Sequence, residues 1–177
     1  LEYQAAGQQL HLNASWIKLA NFESRLVITL NREFNLEVSE LSVNKFNFSL
    51  LEKYLAKKHS ATIIAGRRAT ERKDYLFTLA LNNLGPDQRV VSIEQYITKN
   101  VSRVEQLQLR PEIGFTNETA LRAVVAQDYD VIIIEEVSSA IELTLALHLA
   151  LAGKQVYIGL VYDSLNDVFR SLRHYDV

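Results

Sequence analysis

The stretch Asp130-Val131-Ile132-Ile133-Ile134-Glu135-Glu136 constrains the fold more than any other, because a run of β-branched residues ends in two adjacent carboxylates. Side chains branched at Cβ favour extended backbone, and a run apolar on both faces fits a parallel strand covered by helices on each side. In an open α/β sheet, ligands collect beyond the carboxyl ends of the strands, where Glu135 and Glu136 stand. Acids at this place in nucleotide hydrolases hold magnesium or orient the attacking water. The competing reading is that they only favour the start of the next helix.

With 177 residues, 48% of them hydrophobic, the chain can bury a full core and fits one domain, or one domain plus part of another. Its formal charge of −2 gives no basic excess that would point to nucleic acid. The absence of cysteine excludes disulfides and thiolate zinc sites, and the scattered His11, His59, His148 and His174 form no metal-ligand pattern, so no metal site is expected. The most apolar segment, Ala140 to Ala152, contains Glu142 and His148 and is too short to cross a bilayer. It reads as a core helix, with His148 a core or interface residue. Leu1-Glu2-Tyr3-Gln4 lacks the basic and apolar regions of a secretory signal, and the missing initiator Met suggests a piece of a longer chain. A cytoplasmic location is expected.

In order along the chain, Leu10, Leu12 and Leu26 to Leu30 have the look of strands closing a preceding element, followed by a polar connector from Asn31 to Asn47. Ser49 and Glu52 are spaced as a capping box for a helix through Lys58. Ala61 to Ala65 reads as a strand, with Ile63 to Ala65 buried between helices, followed by Gly66, a charged loop and a helix from Tyr75 to Leu84, the layout of a phosphate-binding loop. Gly85-Pro86 ends that helix, and Val90 to Glu94 is the next strand. Leu107 and Leu109 stand at strand spacing. Asn117 is read as the cap of a helix to about Gln127. Ser139 and Glu142 form a capping box for the apolar helix that Gly153 ends. Gln155 to Gly159 is a further strand and Ser164 to Leu172 an amphipathic helix. Strands alternating with helices predict an α/β fold with a mainly parallel sheet and right-handed crossovers.

Five pieces in this order, Ile93-Glu94, Pro111-Glu112-Ile113-Gly114-Phe115-Thr116, Leu121-Arg122-Ala123, Gln127-Asp128-Tyr129-Asp130-Val131-Ile132 and Glu136, resemble the secretion ATPase family. These are the hexameric motors of type II secretion and of type IV pilus extension and retraction. The likeness runs without a gap from about Arg89 to Val177, and more loosely back to His11. It implies a RecA-like P-loop NTPase fold, with helices on both faces of the sheet and ATP bound between subunits. A few strands of an N-terminal domain precede it. On that frame, residues 1–47 are the end of the N-terminal domain and a connector. Residues 48–177 are the RecA-like domain, cut short of the family's C-terminal helices.

The catalytic boxes depart from the family. Its phosphate loop is glycine-rich and ends in Gly-Lys-Ser/Thr, whereas here the run is Gly66-Arg67-Arg68-Ala69-Thr70-Glu71-Arg72-Lys73. Gly66 stands; Arg72 falls at the phosphate lysine and Lys73 at the magnesium-binding hydroxyl. The acidic box keeps Glu94 alone, with Gln95 and Thr98 among the positions of its lost partners. Glu136 matches the catalytic glutamate, Glu135 stands at a family glycine, and Ser138-Ser139 replace arginine and aspartate. Lys154 and Val161 replace the histidines of a further box. A phosphate loop needs glycines so that backbone N–H groups can converge on a phosphate without a Cβ in the way. Ala69 and Glu71 obstruct two such places, and Glu71 adds a like charge that repels by roughly 4 kcal/mol at about 4 Å and an effective dielectric near 20. Arg is also a poor substitute for a compact ammonium.

The resemblance therefore implies one of two things. In the first, the chain is a degenerate, non-catalytic motor fold with neither ATP nor magnesium, acting as a structural or regulatory part of a pilus or secretion machine. Beside it would stand an intact motor homologue, in a homo- or hetero-oligomer, peripheral to the inner membrane or free of it. Glu94 is then a relic or a capping acid. In the second, it is a working ATP-hydrolysing motor that uses Gly66, Arg72 and Lys73 at the nucleotide, with Glu136 as general base.

Overall fold

Alternation decides which side of the sheet each residue serves. The computed structural model describes residues 2–5, 8–18, 20, 23–33, 38, 41, 50–51, 53–55, 57, 59–82 and 84–174. It divides into two units, residues 1–35 with 96–102, and residues 36–95 with 103–177. In the first, β1 (Glu2–Ala5), β2 (Gln8–Lys18) and β3 (Ser24–Glu33) pair antiparallel in sequence order, and β6 (Lys99–Asn100) adds to β3 in parallel through Arg32 and Glu33. The return of residues 96–102 to this unit is not legible in their polar composition. The expected boundary at residues 47 and 48 and the capping box of Ser49 and Glu52 lie outside the described residues.

The second unit carries a five-stranded parallel sheet ordered β4-β9-β8-β5-β7, built from β4 (Ser60–Ala65), β5 (Val90–Glu94), β7 (Val104–Gln108), β8 (Val131–Ile134) and β9 (Gln155–Leu160). The expected strands are thus present and parallel. β8 lies at the centre and is buried along its whole length, as its unbroken apolar run requires. β4 is an edge strand and only half-buried, which corrects the expectation that Ile63 to Ala65 is enclosed between helices.

Val91, Ile93, Ile132, Ile134, Val156 and Ile158 face one core, shared with α2 (Asn117–Val125), α3 (Ala140–Leu151) and α4 (Leu165–His174). The period of two turns Val90, Ser92 and Glu94 to the opposite face, toward α1 (Ala69–Asn82). Tyr157 shares that face, its hydroxyl donating to Leu79 O at 3.4 Å. The helix starts differ from expectation at instructive places. α1 begins six residues before Tyr75. The cap of α2 is Thr116, whose hydroxyl accepts from Thr119 N while Thr119 Oγ1 accepts from Thr116 N, rather than Asn117. Ser139 caps α3 as expected, but the Glu142 carboxylate accepts from Ser138 N at 2.8 Å instead of reaching back to Ser139 N. His148 is exposed, not in the core. Among the described residues no helix is long and apolar enough to cross a membrane.

Two contacts outside the helices set the strand ends. At the amino end of the sheet, Tyr129 donates its hydroxyl to Glu105 Oε2 at 2.7 Å, and Arg89 reaches Glu105 Oε1 at 3.1 Å while lying 4.7 Å over the Tyr129 ring. The Tyr129 hydroxyl first, and Arg89 second, hold the Glu105 carboxyl below its usual range. The same hydrogen bond, with burial, raises Tyr129. At the carboxyl end, a Cβ on Gly159 would lie 2.0 Å from Glu135 O, so glycine is required for β9 to pass beneath the exit of β8.

Each contact makes a prediction. A lowered carboxyl contributes stability above its unfolded pKa and loses it as pH falls, whereas a raised phenol loses its contribution as pH rises through the folded value. Tyr129→Phe is therefore expected to lower Tm at neutral pH, with the difference from wild type shrinking below about pH 4; thermal melts across pH read this directly. Gly159→Ala is expected to cost about 1–3 kcal/mol in urea unfolding, since backbone rather than a flexible side chain must move.

Candidate functional site

Only Arg67 and Arg68 separate Gly66 from the first turn of α1, whose helical hydrogen bonds begin with Arg72 N to Arg68 O at 3.0 Å. Residues 69–73, which the resemblance sets against the second half of a phosphate loop, are helical. Ala69 and Glu71 favour this state, because neither prefers the left-handed backbone that a wrapped loop needs. Glu71 also puts a negative charge in the first turn, where it offsets the helix dipole and pairs with Arg68 at 2.6 Å. Arg67 pairs with Asp163 at 2.6 Å. A cleft of about 430 Å³ opens here, lined by Ile64, Ala65, Gly66, Arg67, Arg68, Glu71, Arg72 and Tyr75.

Starting the helix at Ala69 fixes where Arg72 and Lys73 go. They share the buried stripe of Leu76, Phe77 and Ala80, at helical spacings from them, and so point at the sheet. Arg72 is 2% exposed. Its fork donates to Glu136 Oε2 at 2.6 Å, to Gly66 O at 2.7 Å and to Glu135 O at 3.4 Å. Lys73 runs to Glu94 Oε2 at 2.6 Å and lies 3.5 Å from Glu135 Oε1. The structure thus brings together all five residues singled out in the sequence: Gly66, Arg72 and Lys73 meet Glu94 and Glu136 through direct contacts or a shared partner.

The acids are held from behind. Glu94, fully buried at the end of β5, accepts from Ser92 Oγ at 2.6 Å and Gln106 Nε2 at 2.8 Å through Oε1. Glu135 Oε2 accepts from Gln95 N at 2.8 Å. Asn117, freed from capping, donates to Glu136 O at 2.9 Å, fixing the chain where the carboxylate of Glu136 departs. Sequence reasoning placed Glu135 beside Glu136 at this end of the sheet but missed Ser92, Gln106 and Asn117 as members of this cluster. Ser92 was open to detection, because it shares a strand face with Glu94. Gln106 was not, because its placement depends on β7 pairing beside β5. Among the described residues, no three His, Cys, Asp or Glu side chains converge as metal ligands would.

Comparison with known proteins agrees with this architecture. Residues 1–172 match the family described as Type II/IV secretion system protein. The chain is 28% identical over 152 residues to type II secretion system protein E of Xanthomonas campestris, covering 85% of this chain and 27% of that protein. It is 22% identical over 157 residues to the type IV pilus assembly ATPase PilB of Thermus thermophilus, covering 88% and 18%. Among solved structures, the ATPase DotB of Legionella pneumophila superposes with a TM-score of 0.73 at 16% identity, over 99% of this chain and 50% of that one. The pilus retraction motor PilT, solved with bound ADP, gives 0.73 at 16% identity over 98% and 50%. The chain therefore spans about a quarter of the first of these relatives and half of each of the two solved chains. With a parallel α/β sheet, the ordered motifs from Glu94 to Glu136 and a family match over nearly its whole length, this chain belongs to the type II/IV secretion system protein family of secretion and pilus motor ATPases.

Proposed function

We propose that this chain keeps the motor fold without its nucleotide chemistry, and serves as a structural or regulatory component of a pilus or secretion machine. The observation that carries this reading is the pairing of Arg72 with Glu136 and of Lys73 with Glu94, because the positions that should meet phosphate and magnesium are spent on the acids that should hold metal and water. Magnesium–ATP fits these residues poorly. The helix has consumed the loop, Glu71 already answers its dipole, and the arginines at its start each have an acid partner. Glu136 remains at the place of a general base, but its carboxylate is tied to Arg72. On this reading no cofactor is bound. The chain acts in the cytoplasm, at or near the inner membrane, in an oligomer with a second, intact motor subunit.

The alternative is a working motor that powers type IV pilus movement or type II secretion, and the family match favours it. Calorimetric titration separates the two. The expected result is no saturable heat with magnesium–ATP up to roughly millimolar concentrations, and a micromolar Kd overturns the proposal. A second experiment tests the cause of the silence. Replacing Ala69 and Glu71 by Gly, Arg72 by Lys and Lys73 by Thr removes two Cβ obstructions, frees Glu94 and Glu136, and supplies the ammonium and hydroxyl together. The fourfold variant is expected to bind ATP with little phosphate release, because Gln95, Thr98 and Val161 still lack acid and imidazole groups.

A further inference from the structure

At the carboxyl end of the sheet, a covalently attached cation stands between two carboxylates from neighbouring strands. Glu94 ends β5 and Glu135 follows β8, and the Lys73 ammonium lies 2.6 Å from Oε2 of the first and 3.5 Å from Oε1 of the second. Both acids are preset: the opposite oxygen of Glu94 is held by Ser92 and Gln106, and that of Glu135 by Gln95 N. The oxygens that remain face a common point. Fixed, desolvated carboxylate oxygens converging at the end of a parallel sheet are the donors a hard divalent cation takes. A lysine reaches that point from the buried face of α1 instead.

We infer that the Lys73 ammonium is a tethered replacement for a divalent cation, neutralising Glu94 and Glu135 from within and closing this end of the sheet to metal ions. The inference rests on the reading of a domain without nucleotide chemistry and deepens it. An attached ammonium gives up no translational freedom on binding, unlike a free ion, and sheds no tightly held hydration shell as magnesium must. With Arg72 on Glu136, two cations face three carboxylates, so the cluster carries a single negative charge and needs no further ion to be tolerated. Because Lys73 belongs to α1, the same contact fixes that helix to β5 and β8 whether or not any ligand is present. The position of α1 is then a property of the chain, not of a nucleotide state.

The test uses MgCl2 and MnCl2 alone, without nucleotide, in thermal melts against NaCl of equal ionic strength. Wild type is expected to show no divalent-specific change in Tm, and no manganese broadening of the Gln95 and Gln106 amide signals. Lys73→Thr leaves the carboxylates facing each other and should melt lower in NaCl, then regain roughly 2–4 °C or more with divalent ions. Should this variant be unfolded without metal, divalent ions are expected to restore its circular dichroism. Lys73→Met combined with Glu94→Gln removes both charges, and should fold and ignore divalent ions. Divalent stabilisation of wild type, a Lys73→Thr variant that gains nothing from them, or an equal gain in the double variant would each overturn the inference. None of these outcomes depends on ATP, so a failure here leaves the calorimetric test of the functional reading intact.

Discussion

A carboxylate with no exposure to water is tolerated beneath a helix only if a cation is buried with it, and the contact between Glu94 and Lys73 meets that condition. Much of the domain's geometry follows from this pair. Glu94 is the last residue of β5 on the face covered by α1, so the cation has to come from α1, and it has to come from its first turns to reach the carboxyl end of the sheet. Lys73 meets both requirements only if the helix is already wound at Ala69. The short loop, the early helix start and the buried charges are one arrangement.

The framework was largely legible because it rests on local patterns. The run Val131 to Ile134 specifies a central strand by its apolar faces, and Ser139 and Gly153 bracket α3 by their capping chemistry. The start of α1 was not, because Gly66 and a charged stretch resemble a loop, and the preference of Ala69 for helix competes with that resemblance. Arg72 and Lys73 read as part of that charged loop for the same reason. Their charge argues for solvent, while their spacing from Leu76, Phe77 and Ala80 argues for the buried face, and the acids waiting beneath the helix decide between them. Those acids lie far along the chain, so no local window contains the answer. The capping role given to Asn117 failed in a related way: Thr116 has the stronger local geometry, and Asn117 is drawn to Glu136 O, a partner that only the fold supplies.

Charged residues that lie far apart in sequence are matched in space. The charged groups of Lys73 and Glu135 lie 3.5 Å apart. The planar fork of Arg72 uses one edge for Glu136 and the rest for the backbone of Gly66 and Glu135, which a single ammonium cannot span. Gly159 admits this arrangement, since any larger residue would push Glu135 O away from β9 and crowd Arg72 Nε. Each acid of the cluster faces a cation.

Such a cluster is held in place by an asymmetry in the energetics of buried charge. Exchanging a whole buried pair for apolar groups of similar volume is often nearly neutral, but removing one member strands the other at a cost of about 3–5 kcal/mol. Restoring a hydroxyl at Lys73 alone leaves Glu94 without its cation. Glu135 is the exception, because without it Lys73 keeps Glu94 and Arg72 keeps Glu136. Exchanging Arg72 for lysine alone gives up hydrogen bonds to Gly66 O and Glu135 O that fix the ends of β4 and β8. Removing either cation alone is therefore uphill, and the buried pairs between α1 and the strand ends can be exchanged only as whole pairs.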